Sequence, residues 1–336
     1  MTGSPAKSSR FERDKFTGYG FAPFIDALTE SRTHIKMRGC RYTAPPLTST
    51  VSVVDRISLN YIISNLFREG IFFITPLVPF AERRIITMKK AFDPVMLPLP
   101  TETLDYSIFI NELLEATSKL EVYKEKIKDS KLDSSWFMPT LQQKEAIAST
   151  KLEGTQATLD GVLINQIEPD KNNQNLNEVS NYFHATVLGL KMLQIGSFSD
   201  DFLCKIHEAL LFGNVRKREN ALIGVYRNTQ NFIGMTNGSR EITYIPPAPQ
   251  NVPTLMKNLI EYINDPHDSL QPLVRVAIIH AQMETIHPFD DGNGRVGRIM
   301  IPLYLYKKQQ ISLPCFFISE ALESYMLQRR NRNTFS

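Results

Sequence analysis

The sequence predicts a mainly α protein: a helical core with one small β-hairpin, preceded by a second helical module. Three observations carry that expectation. Two apolar runs, 273–286 and 299–306, flank a short polar loop and read as buried helices. Leu104, Ile108, Ile110, Leu113, Leu114 and Leu120 form a stripe at helical spacing. Asn237-Gly238, a strong hairpin signal, lies between the β-prone runs 231–234 and 242–245.

Composition sets the outer bounds. The 336 residues, 42% of them hydrophobic, suffice for one large domain or two ordinary ones. A net charge of +3 gives no reason to expect nucleic acid or an acidic membrane as the main partner. Cys40, Cys204 and Cys315 are far apart and odd in number. They show neither metal-ligand spacing nor a disulfide framework, which favours a reducing, cytoplasmic setting. The first thirty residues mix both charge signs, unlike a secretory leader. The run 71–80 holds Pro76 and Pro79 and is too short to span a bilayer as a helix.

Three regions follow in order. Residues 1–87 are rich in basic residues, with Ser, Thr and Pro clustered over 43–52 and no sustained period. They read as an extension, poorly ordered or foreign to the fold, with a small separate domain as the rival reading. Residues 88–198 form the N-terminal helical module. Leu97-Pro98-Leu99-Pro100 is extended, because each proline disfavours helix before it. A helix is expected over 103–131, and another over 142–154 stopping at Gly154. A third follows over 177–193.

Residues 199–336 form the core. Helices are expected over 202–211 and 252–263, then in the two apolar runs, with Pro302 kinking the last. His207 and His280 lack companion ligands and are expected to be structural. The tail after residue 319 reads as truncated.

The polar loop, His287-Pro288-Phe289-Asp290-Asp291-Gly292-Asn293-Gly294-Arg295-Val296-Gly297-Arg298, carries the chemistry. Gly292 and Gly294 let the backbone turn and present N–H groups. The helix starting near Gly294 adds free N–H groups and a dipole that favours phosphate. Arg295 and Arg298 share one helix face, roughly 4.5 Å apart along the axis, and each guanidinium fork can hold phosphate. Asp291 is a hard oxygen ligand suited to the Mg²⁺ that accompanies a nucleotide. His287 can take a proton near neutral pH.

The loop resembles the Fic motif HPFx(D/E)GNGRxxR at every fixed position. Resemblance to the Fic (Fido) family implies protein adenylyl transfer: AMP passes from ATP to a Ser, Thr or Tyr hydroxyl of a target protein. His287 is then the base, Asp291 holds Mg²⁺, and Gly292, Asn293, Gly294, Arg295 and Arg298 bind the phosphates. Related Doc kinases carry Lys where this chain has Gly294, so the Fic branch fits better. Ser149-Thr150-Lys151-Leu152-Glu153-Gly154 resembles the family's inhibitory motif (S/T)xxxE(G/N), which implies that Glu153 occupies Arg298 and obstructs ATP. The hairpin resembles the family's flap over the site, which implies target docking at Asn231, Phe232, Ile233, Gly234, Ile242, Thr243 and Tyr244. Automodification and homo-oligomers are compatible with this reading. Removal of AMP, transfer of another phosphorylated group, and a catalytically weak ATP-binding regulator are the alternatives.

Overall fold

The computed structural model of the chain describes residues 90–100, 104–129, 134–233, 244–267, 269–312 and 318–323. They fall within the compact unit Val53–Ser336. The extension 1–87, the Asn237-Gly238 turn and the end of the tail lie outside the described residues.

The helices are α1 (Ile110–Asp129), α2 (Ser134–Leu152), α3 (Leu159–Ile167), α4 (Gln174–Ile195) and α5 (Asp200–Leu210). They are followed by α6 (Val252–Asn264), α7 (Pro272–Ile286) and α8 (Asn293–Lys307). Side-chain caps set several starts. Thr158 accepts from the Gly161 N–H at 3.1 Å, Ser199 from the Phe202 N–H at 3.1 Å, and Gln271 from the Leu273 N–H at 2.6 Å. Among the described residues no helix is long and apolar enough to cross a membrane.

Three features depart from the sequence expectation. The helix expected from residue 142 begins at Ser134 and runs through Pro139. Pro139 is the sixth residue of that helix, past the first turn, so the helix continues with one i→i−4 bond missing there. Helix α3 was not expected at all. Helix α1, expected from residue 103, begins at Ile110 after a short 3-10 turn at Tyr106–Ile108.

The core is built around α7 and α8, both buried nearly all round. Helix α8 packs against α7, α4 and α5, and also touches α2. Its first turn therefore opens beside the end of α7 and the end of α2, where the sequence places its candidate residues. A strap over residues 92–97 crosses the outside. Its Leu97 N–H donates to Asn258 Oδ1 at 2.8 Å, and the Val95 carbonyl accepts from Gln282 Nε2 at 2.9 Å. Of the hairpin, the described residues hold one antiparallel bridge, Ile233 with Tyr244, with both backbone bonds at 2.9 Å.

Candidate active site

The loop between α7 and α8 is held by bonds to its own backbone. His287 closes α7 in the left-handed region, φ 51°, with its N–H on the Met283 carbonyl at 2.9 Å. Buried Arg227 stabilises that turn. Its Nε donates to the His287 carbonyl at 2.8 Å and its Nη2 to the Ile286 carbonyl at 3.3 Å. A cation at a helix C-terminus is favourable, since the last carbonyls have no intrahelical donors.

Next, Phe289 anchors the loop in the core with no exposed surface. Its ring stacks on His207 at 3.9 Å between centroids. His207 accepts the Gly224 N–H at Nδ1, 2.9 Å, which leaves Nε2–H to donate to the Asp291 carbonyl at 3.0 Å. Burial pushes its pKa down to about 4, so it stays neutral and the tautomer is fixed. Asn293 closes the loop from the other side. Its Oδ1 accepts the Phe289 N–H at 2.9 Å and its Nδ2 donates to the Phe289 carbonyl at 2.8 Å.

The sequence expected the Asn293 amide to reach phosphate. In the structure both ends of that amide are bonded to Phe289 and shape the loop. Gly292 turns the chain into α8 at φ 76°, a region that favours glycine.

Next to the loop lie the groups in which the sequence reading expected an anion site. The first turn of α8 carries N–H groups with no intrahelical acceptor. Arg295 is buried and pairs with Asp291 Oδ1 at 3.3 Å. Among the described residues no acceptor meets the buried Arg295 Nε. His287 sits at the edge. Burial first, then the Arg227 charge, bring its pKa down to about 4 against the opposing Glu284 carbonyl, so its imidazole is neutral at pH 7.

Asp291 accepts the Gly292 N–H at 2.6 Å and the Arg218 N–H at 2.7 Å. Among the described residues no group of three or more His, Cys, Asp or Glu side chains could hold a metal. A nucleotide-borne Mg²⁺ needs only one or two protein carboxylates, and Asp291 fits that limited requirement.

Arg298 does not face an open site. Its Nε donates to Ser149 Oγ at 2.7 Å, and its Nη2 to the Ser149 carbonyl at 3.1 Å and to Glu153 Oε1 at 2.6 Å. Burial alone would raise the Glu153 pKa. The charges and hydrogen bond of Arg298, with Arg295 and His287 behind, bring it below the usual carboxylate value. The pair is asymmetric, with 8% of the Arg298 side chain exposed against 40% of Glu153. Gly294 lies beneath it. A Cβ there would stand 2.7 Å from Glu153 Oε1 and 2.8 Å from Arg298 Nη1, so a larger residue would push the pair out of its present position.

The hairpin residues divide. Asn231, expected to dock a target, is buried instead and donates to the Phe289 carbonyl at 2.9 Å while accepting from Arg218 Nη1 at 2.7 Å. Its amide is fully engaged in bracing the loop. Phe232 is exposed. The Tyr244 hydroxyl donates to the Thr285 carbonyl at 2.7 Å. Gly234, Ile242 and Thr243 lie outside the described residues. His207, Arg227 and Arg218 were not among the sequence candidates. They act on residues 60 to 84 positions away, and no local pattern marks them.

Residues 197–305 match the model of the Fic/DOC family, and residues 110–191 that of the Fic/DOC family N-terminal region. Together the two matches span more than half of the chain. The chain belongs to the Fic/DOC family. Among curated proteins, a protein adenylyltransferase of Caenorhabditis elegans is 30% identical over 110 residues, 32% of this chain and 19% of that protein. A probable protein adenylyltransferase of Aquifex aeolicus is 24% identical over 168 residues, 49% of this chain and 48% of that protein. The chain thus spans less than half the length of these relatives. A solved Fic domain containing signaling protein from Bacteroides thetaiotaomicron has a TM-score of 0.49 and 18% identity, covering 57% of this chain and 72% of that one. The Fic motif occupies the loop between α7 and α8, and the inhibitory-type motif the end of α2.

Proposed function

We propose that this Fic protein transfers AMP from ATP to a protein hydroxyl, its own included, and releases pyrophosphate. The observation that supports this best is the meeting, at the start of α8, of a neutral, half-buried imidazole with two buried guanidinium groups and the free N–H groups of a helix N-terminus. The protein adenylyltransferases among the relatives agree with it.

In this reading the target oxygen bonds to the α-phosphorus. The bond from that phosphorus to the bridging oxygen breaks, and the electron pair leaves with pyrophosphate. His287 takes the hydroxyl proton; an imidazole neutral down to about pH 4 is ready to do so. The first-turn N–H groups of α8 and Arg295 hold the phosphates, and Arg298 meets the charge growing on the leaving group. Asp291 would hold Mg²⁺, which when bound neutralises phosphate charge. A target segment pairing beside the Ile233–Tyr244 bridge, next to the exposed Phe232, would bring its hydroxyl to His287. In the resting state Glu153 holds the fork that the γ-phosphate needs, so the enzyme is autoinhibited. The scattered cysteines support a cytoplasmic setting.

The test is incubation with ATP labelled at the α-phosphate. His287→Ala should lower transfer by roughly 10² to 10⁴ while ATP binding stays nearly unchanged. Undiminished transfer would retire the base assignment.

A further inference from the structure

Glu153 is a poor candidate for holding itself in place. Its side chain is 40% exposed and its ion pair with Arg298 sits at the rim of the site. Among the described residues the Glu153 side chain makes a single hydrogen bond, to Arg298, and one contact does not fix where the segment behind it sits. The position of the carboxylate therefore depends on the backbone that carries it.

That backbone is gripped immediately after Glu153. Arg216 Nη1 donates to the Gly154 carbonyl at 3.0 Å, and its Nη2 to Thr155 Oγ1 at 2.7 Å. The same guanidinium pairs with Glu178 of α4 through Nε at 2.9 Å and Nη2 at 3.1 Å. The Arg216 N–H adds a third bond to Glu178 at 3.0 Å, and the Thr155 hydroxyl donates to the other Glu178 oxygen. The Glu178 side chain is only 2% exposed, and α4 is one of the helices against which α8 packs. Gly154, Thr155, Glu178 and Arg216 thus form a closed ring that fastens the end of α2 to the core. Two residues further on, the Arg218 N–H holds Asp291 Oδ2 at 2.7 Å. One short segment grips both the end of the inhibitory helix and the motif loop.

We propose that Arg216, locked on Glu178, is a positioning residue that seats Glu153 against Arg298 and so sets the strength of the autoinhibition. The proposal rests on the reading of Glu153 as the inhibitory carboxylate. Arg216 acts through the backbone of residues 154 and 155; its side-chain hydrogen bonds go to Gly154, Thr155 and Glu178. A fork is needed, because one group must span a carbonyl, a hydroxyl and a carboxylate at once.

The experiment measures ATP affinity calorimetrically, with Mg²⁺ present, on the full chain. It compares wild type, Glu153→Gly, the neutral pair Arg216→Gln with Glu178→Gln, and all three changes together. Changing both members of the ion pair avoids leaving Glu178 buried and unpaired. The neutral pair should tighten ATP about three- to tenfold, no more than Glu153→Gly does, and should add nothing when Glu153 is already glycine. Arg216→Lys, with one ammonium in place of the fork, should fall between wild type and the neutral pair. If the neutral pair melts, Thr155→Val replaces it, since it removes the hydroxyl shared by Arg216 and Glu178. Tightening in Glu153→Gly alone overturns the latch and leaves the Glu153 reading intact. Tightening by the neutral pair on top of Glu153→Gly overturns it too, because Arg216 would then act by another route. No tightening in any variant removes the Glu153 reading itself, and the latch with it.

Discussion

The motif loop and the end of α2 meet at Arg298 and are built in opposite ways. The loop is braced from every side. The Phe289 carbonyl alone takes donors from Asn231 and Asn293, the His287 carbonyl takes Arg227, and the Asp291 carbonyl takes His207. The Glu153 side chain, by contrast, meets the loop through one guanidinium and is open to water. A site whose donors are already fixed needs no rearrangement when charge develops. The difference teaches that, in the proposed function, admitting a phosphate would require one carboxylate to move while the braced loop beneath it stays where it is.

The largest expected effect comes from breaking the rigid side. Asn293→Ala removes both bonds to Phe289 and leaves its buried N–H without an acceptor, a loss of about 1 to 3 kcal/mol in stability. Misplacing the loop by about 1 Å should lower AMP transfer by on the order of 10²-fold. A variant that melts and reacts like wild type would show that the loop is fixed by something else.

A smaller effect sharpens the same contrast through pH. Burial depresses the His287 pKa from 6.5 to about 4, so the imidazole is neutral above that value. In Glu153→Gly the acid limb of kcat/KM should lie near 4 rather than 6.5, and the rate should change by less than about twofold between pH 7.5 and 6. A limb at 6.5 would mean that His287 is solvated and the loop is looser than it looks.

Some of this was legible in the sequence for a physical reason. The residues proposed to meet phosphate lie on one loop and one helix turn, so their spacing carries their geometry. Ser149 and Glu153 lie four apart on one helix and reach the same guanidinium. The apolar runs gave α7 and α8 because burial and periodicity coincide there. The bracing was not legible. Arg216 and Glu178 are 38 positions apart, and His207 and Asp291 are 84 apart. Glu178 and His207 are common residues on helices, Arg216 and Asp291 lie in loops, and only folding brings each to its partner. Nor was the bracing role of Asn231 legible, because the Phe289 carbonyl its amide meets lies 58 positions away. Helix α3 is only nine residues long, too short to establish a period.

The central claim, that Glu153 and the nucleotide compete for Arg298, is tested most directly by a double-mutant cycle read as automodification with labelled ATP at saturating Mg²⁺. Glu153→Gly should raise AMP transfer about tenfold or more, since roughly 1.4 kcal/mol relieved at one guanidinium already gives that factor. Glu153→Gly combined with Arg298→Ala should lose the gain, because the freed arginine is its source. Transfer that stays flat in Glu153→Gly, or a gain that survives the loss of Arg298, would contradict the account.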